Sequence, residues 1–197
     1  MTVSVRAATD NDLVEVRDIF SHYVLNTVIS FLVQSPSLDY IASRYRDAQA
    51  RGLPYLVAVD DSAGGRVVGY ASASAWRGYM LGYGHTVEIT LICHPDYTRR
   101  GIGSQLLAQL VHHLRNTKHV TREVDHPDHV VEFDIKRVLA VMAVDTNSAG
   151  DGMSLRDWYL RAGFEQVGRL KGVGSKKGKT IDTIMLELDL DSTTIRG

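Results

Sequence analysis

The stretch Thr98-Arg99-Arg100-Gly101-Ile102-Gly103-Ser104 decides how this chain is read, because of what stands on either side of it. Before it, Thr86-Val87-Glu88-Ile89-Thr90-Leu91-Ile92-Cys93 predicts a strand, and after it residues 105–114 predict a helix. A strand, a short glycine-rich turn and a helix N-terminus make a recurrent anion cradle. Glycine lets the backbone come close to the anion, and the first-turn N–H groups aim the positive end of the helix dipole at it. Arg99 and Arg100 add charge beside those donors. A lone GxG carries little weight; its place between strand and helix gives it more.

Upstream, Val3 and Val5 alternate with polar residues and predict a first strand. Thr9, Asp10, Asn11 and Asp12 offer helix caps before Leu13, Val14, Val16, Ile19, Phe20 and Val24, whose spacing is helical. Residues 38–51 predict a second helix, stopped by Gly52 and Pro54. Two apolar runs, 55–59 and 66–73, flank the turn-forming Asp60-Asp61-Ser62-Ala63-Gly64-Gly65 and predict a hairpin. Downstream, residues 119–136 are polar and charged, and are read as a surface insertion in a single domain spanning 1–197. Val138-Leu139-Ala140-Val141-Met142-Ala143-Val144 is nearly all apolar, as a strand covered on both faces would be. Residues 154–161 predict a short helix closed by Gly163, and 164–170 and 180–190 predict two last strands. The order βααβββαβαββ predicts an α/β (α+β) fold, a mixed, mostly antiparallel central sheet flanked by helices.

Composition bounds the function. With 44% hydrophobic and 23% charged residues the chain suits a soluble globular domain. A formal net charge of −1 argues against a nucleic-acid partner held by overall positive charge. Cys93 is the sole cysteine, which excludes an intramolecular disulfide and a cysteine-rich metal site. No long apolar run predicts a membrane span, and Met1-Thr2-Val3-Ser4-Val5-Arg6 lacks the pattern of a secretory signal. The expected location is cytoplasmic.

Period two places Glu88, Thr90 and Ile92 on one face of their strand and Ile89, Leu91 and Cys93 on the other. A buried carboxylate has a raised pKa, which suits a general base; the pattern alone fits equally a glutamate facing solvent or paired to an arginine. Cys93 reads as a small buried hydrophobe, with no cation evident to make it a nucleophile. Trp76, Tyr79 and Tyr83 fit either a core or a pocket wall. His126-Pro127-Asp128-His129 reads as a solvated loop, because Pro127 breaks the helix that would align metal ligands. Gly172-Val173-Gly174-Ser175-Lys176-Lys177-Gly178-Lys179-Thr180 fails as a nucleotide loop: Val173 stands where glycine is needed, and a strand follows. It reads as a basic hairpin turn.

The run from Glu88 to Leu107, taken with Ser154-Leu155-Arg156-Asp157-Trp158-Tyr159-Leu160-Arg161-Ala162-Gly163-Phe164, resembles the two hallmarks of the GNAT N-acetyltransferase superfamily. The likeness spans about residues 3–190, interrupted by 119–136. Val5-Arg6-Ala7-Ala8-Thr9, Val28-Ile29-Ser30-Phe31 and the spacing of Trp76, Tyr83 and Glu88 are similar to the phosphinothricin and methionine-sulfoximine acetyltransferases. The resemblance implies acetyl-CoA as cosubstrate, no metal, and transfer of acetyl to the primary amine of a small molecule such as an amino acid. It implies backbone contacts to the pantetheine arm from Leu91, Ile92 and Cys93, and a pyrophosphate cradle from Arg99, Arg100, Gly101, Ile102, Gly103 and Ser104. Asn147 would also touch the cofactor. Glu88 would be the general base and Tyr159 the general acid, with Phe31, Arg77, Tyr79 and Tyr83 around the acceptor. A homodimer is compatible with it; nucleic-acid and membrane partners are not expected. Two positions depart from the family pattern. Thr98 stands where Gln or Arg is usual, and the segment carrying the family's carboxylate-gripping arginine is one residue longer here and offers only Arg77. A non-catalytic CoA-binding regulatory module and a protein or polyamine acetyltransferase are the competing readings.

Overall fold

A computed structural model describes residues 2–191. Its strands are β1 (Val3–Ala7), β2 (Tyr55–Asp60), β3 (Arg66–Ala75), β4 (Thr86–Cys93), β5 (Lys118–Glu123), β6 (His126–Asp134), β7 (Arg137–Ala143), β8 (Glu165–Lys176) and β9 (Lys179–Asp189). Its helices are α1 (Leu13–Asn26), α2 (Leu38–Ala50), α3 (Ile102–Arg115) and α4 (Ser154–Arg161). Seven strands form one sheet in the order β1-β2-β3-β4-β7-β9-β8, and β5 and β6 form a separate two-stranded ladder. Every neighbouring pair is antiparallel except β4 and β7, which run parallel. The mixed, mostly antiparallel sheet is the one expected from the sequence.

Local chemistry explains the helices. Asp12 accepts from the backbone N–H and hydroxyl of Thr9 at 2.7 and 2.9 Å and takes two 2.8 Å hydrogen bonds from Arg6, which fixes the chain ahead of α1. That arginine, with the Thr9 donors, draws the Asp12 carboxyl down to about 2. Ser37 caps α2 by accepting from the N–H of Tyr40. In α3, Ile102, Leu106, Leu107, Leu110 and Leu114 recur at helical spacing and are all buried. This stripe lies across β3 at Gly69, where a Cβ would come within 3.2 Å of Leu106 Cδ1 and 3.1 Å of the Ile92 carbonyl. The missing side chain lets helix and sheet approach.

Residues 119–136, read as a surface insertion, are ordered: β5 and β6 make a hairpin whose two-residue turn, Val124 and Asp125, has Asp125 at φ 62, with most of β6 exposed. His119 is buried and its Nδ1 lies 2.7 Å from the Gly84 carbonyl, which fixes Nδ1 as the protonated nitrogen. Burial pushes the His119 pKa down, so the ring stays neutral. Arg51 bonds Thr121 across to α2 at 3.0 Å. The hairpin thus buttresses the chain just ahead of β4.

Between β4 and β7 the sheet comes apart. The parallel pairing runs from Thr86 opposite Arg137 to Ile89 opposite Ala140 and then stops. On the outer sides, β3 stays paired to β4 as far as Cys93, and β9 to β7 as far as Ala143. Residues 90–93 and 141–143 therefore diverge, leaving a wedge with backbone polar groups on both sides.

Candidate active site

The wedge opens into a cavity of about 450 Å³ lined from β4 by Glu88 to Ile92, from β7 by Val141 to Ala143, from α4 by Tyr159, and from outside the sheet by Phe31, Tyr40 and Arg44. Its size is that of a small-molecule site.

Glu88 sits opposite Ser74 of β3 and Leu139 of β7, within the last paired rungs before the strands part. Burial raises its pKa, opposed by the positive charges of Arg44 and then Arg77. Tyr159 is 6% exposed. Its position follows from the end of α4: Gly163 takes the left-handed conformation at φ 93, and Phe164 turns back so that its N–H donates to the Tyr159 carbonyl at 3.1 Å. The Phe164 ring then lies 5.0 Å from that of Tyr159, with Trp158 4.8 Å away on another side. This packing is the physical content of the Tyr-x-x-x-Gly-Phe pattern. Burial holds the Tyr159 phenol well above its ordinary range, so it remains protonated.

The glycine-rich turn stands beside this wall. Arg99 and Gly101 take positive φ, 61 and 78, and Gly101 caps α3. Above Gly101 there is open space: a Cβ would meet nothing within 4 Å. The N–H groups of Ile102, Gly103 and Ser104 precede the first intrahelical bond, from Gln105 to the Gly101 carbonyl, and have no acceptor within the helix. Trp158 Nε1 donates to Ser104 Oγ at 3.3 Å, which ties the α4 wall to the turn. Arg100 lies over the Tyr97 ring at 5.0 Å. The diverging backbone edge and the open, N–H-rich turn fit an elongated ligand with an anionic end.

The other expected site residues divide. Leu91 and Ile92 line the cavity, whereas Cys93 does not; its carbonyl accepts the Tyr23 hydroxyl at 2.8 Å. Burial pushes the Cys93 thiol up to about 11, so it is no nucleophile. Asn147 lies in the turns after β7, exposed, its N–H bonded to Asp145 Oδ1 at 3.1 Å, and is not part of the cavity. Phe31 is part of its wall.

Arg77, Tyr79 and Tyr83, expected around the acceptor, do not line this cavity. Arg77 is exposed with its guanidinium 4.9 Å over Trp76. Tyr79 is held between Arg51 and Arg122, at 4.2 and 5.4 Å from the ring centroid. Tyr83 is exposed in a 3₁₀ turn, Leu81–Tyr83. The guanidinium that does reach the cavity is Arg44. It forms no ion pair among the described residues and lies 5.9 Å from the Tyr40 ring, one helical turn away on α2. Sequence reasoning missed it; the i, i+4 pairing of Tyr40 and Arg44 ahead of an apolar helix face was the available signal. Among the described residues no group of three His, Cys, Asp or Glu side chains gathers to hold a metal, and no helix is long and apolar enough to cross a membrane.

Comparison with known proteins agrees with this geometry. Residues 17–132 match the pattern of the acetyltransferase (GNAT) family. An L-methionine sulfoximine/L-methionine sulfone acetyltransferase of Pseudomonas paraeruginosa is 33% identical over 98% of this chain and 98% of its own. The L-amino acid N-acyltransferase MnaT of Escherichia coli is 28% identical over 98% of this chain and 96% of its own. The crystal structure of a phosphinothricin acetyltransferase from Sinorhizobium meliloti, in complex with acetyl-CoA, superposes with a TM-score of 0.78 at 29% identity, covering 96% of this chain and 89% of that one. The chain belongs to the GNAT acetyltransferase family and is an acetyl-CoA-dependent N-acetyltransferase.

Proposed function

We propose that the enzyme acetylates the α-amine of a free amino acid or an analogue of the methionine-sulfoximine or phosphinothricin type, with Glu88 as base, Tyr159 as acid and Arg44 as the partner of the acceptor carboxylate. One observation carries this: Glu88, Tyr159 and Arg44 line the same cavity, and Arg44 forms no ion pair among the described residues. The names of the relatives, which are acetyltransferases of amino acids and their analogues, support the same class.

Acetyl-CoA supplies an acetyl thioester. The diverging edges at 90–92 and 141–143 suit its amide-bearing arm, and the turn at 99–104 its pyrophosphate. Glu88 accepts the proton lost by the attacking amine; the new C–N bond forms as the C–S bond breaks. Tyr159 gives its proton to the departing sulfur and regains one from solvent. The products are the N-acetyl amino acid and free CoA. Holding amine and thioester in one walled cavity makes the encounter effectively intramolecular.

A panel of acceptors tests the reading. Amino acids are expected to turn over while their decarboxylated amines do not, and Arg44→Ala is expected to raise KM about 10–100-fold for carboxylate-bearing substrates only, the worth of a charged hydrogen bond. Equal use of polyamines removes the amino-acid acceptor, and binding of acetyl-CoA with no turnover of any amine favours a regulatory module. Tyr159→Phe is expected to slow transfer about 10²-fold with unchanged acetyl-CoA affinity, within the range for general acid catalysis. Its ring packing against Trp158 and Phe164 is kept, so the melting temperature checks that only the hydroxyl was lost.

A further inference from the structure

Part of the cavity wall, Ile29 to Leu32, comes from segment 27–37 between α1 and α2, and three separate contacts fasten that segment to the β7-β9-β8 side. Val28 is buried against Ala143 of β7 and Ile181 of β9. The Ser30 carbonyl accepts a 2.6 Å hydrogen bond from Nζ of Lys176, the last residue of β8. The Phe31 ring presses on the β8 backbone at Gly174, where a Cβ would lie 2.0 Å from its Cε1 and 2.5 Å from its Cζ.

Lys176 is 6% exposed although it sits at a hairpin turn. Burying an ammonium is unfavourable unless something holds it, and its hydrogen bond among the described residues goes to the Ser30 carbonyl. Burial also lowers its pKa. The hairpin has its own clamp: β8 bulges between Leu170 and Gly174, and Asp182 of β9 accepts there from the Gly172 N–H at 2.8 Å and from Arg169 Nε at 2.8 Å. A buried lysine and a side-chain-free strand position thus meet the two residues that precede Leu32 in the cavity wall.

We propose that Lys176 and Gly174 are positioning residues for acceptor selection: the β8–β9 hairpin holds Ser30 and Phe31 as the cavity wall and so sets which acceptor side chains fit. The inference rests on the reading of this cavity as the acceptor site. It does not depend on the acceptor being an amino acid.

Lys176→Met keeps the length and removes the charge; Gly174→Ala places a methyl group where the Phe31 ring now lies. In Lys176→Met, amide hydrogen exchange across 28–32 is expected to speed up and acceptor KM to rise about tenfold, with KM for acetyl-CoA unchanged and both effects reversed in Lys176→Arg. In Gly174→Ala, the ratio of kcat/KM between a small and a bulky acceptor is expected to change about tenfold, the value of a methylene in a pocket. The series uses whichever class of primary amine the wild type acetylates, so failure of the amino-acid reading leaves this result readable. Unchanged exchange at 28–32 overturns the tether. Equal rises in KM for acceptor and acetyl-CoA, or an unchanged size ratio in Gly174→Ala, overturn the role in selection.

Discussion

Glu88→Gln is expected to lower kcat/KM by about 10²–10⁴-fold, the range for loss of a general base, with acetyl-CoA affinity unchanged. The pH profile separates this from a packing defect. Burial raises the Glu88 pKa, so in wild type the rate climbs as pH rises through a value above the ordinary carboxylate range, and this acid limb disappears in the variant. Stability moves the other way. A carboxyl whose folded-state pKa lies above its unfolded value favours folding when protonated and loses that advantage as pH rises through the shifted pKa. At neutral pH Glu88 is therefore a stability cost, and Glu88→Gln is expected to melt no lower than wild type. Wild-type rates across the pH range would remove Glu88 from the chemistry.

Gly101→Val is expected to weaken acetyl-CoA binding about 10–100-fold by calorimetry, or about 1.4–2.8 kcal/mol. The branched side chain would occupy the open space over the turn, and φ 78 is a conformation that a β-branched residue resists. Strain alone would also destabilise the fold, so a matched control is needed. Gly64, in the β2–β3 connection, has φ 71 and nothing within 4 Å of a Cβ. Gly64→Val should lose similar stability, about 1–2 kcal/mol, and keep its affinity. Equal affinity in the two variants would contradict the pyrophosphate cradle. Gly103 is a different case: a Cβ there makes ordinary contacts of 3.7 Å with Cys93, Leu91 and Trp158, so Gly103→Ala should fit and Gly103→Val should crowd them.

The parts of the molecule that were legible beforehand are those whose cause is local. A strand, turn and helix over residues 86–115 depend on alternation, glycines and an apolar stripe within one continuous segment, and Gly163 and Phe164 place Tyr159 within one turn of chain. The β5–β6 hairpin was illegible because its pattern is inverted. His119 and Thr121 face inward, while Val124 and Val130 are more than half exposed. Arg44 was missed for a related reason: it lies on an exposed helix face, and only the packing of α2 beside the sheet brings it to the cavity. The setting of Tyr79 was illegible because its partners, Arg51 and Arg122, are distant in sequence and nothing near it announces them.

The four parallel rungs between β4 and β7 also bear on how the protein comes into being. They are the one junction between two antiparallel leaves, β1-β2-β3-β4 and β7-β9-β8. Within the leaves, the β2–β3 and β8–β9 hairpins close short loops, whereas β1–β2 and β7–β9 join segments distant in sequence. The junction brings residues 86–89 to residues 137–140, across a stretch of chain that includes α3 and a hairpin. Pairings of that span carry a larger loop-closure entropy than the hairpins do. Glu88 lies in that junction. The reaction centre is thus assembled only when the two leaves meet, and a half-folded chain, whichever leaf it has completed, has no site.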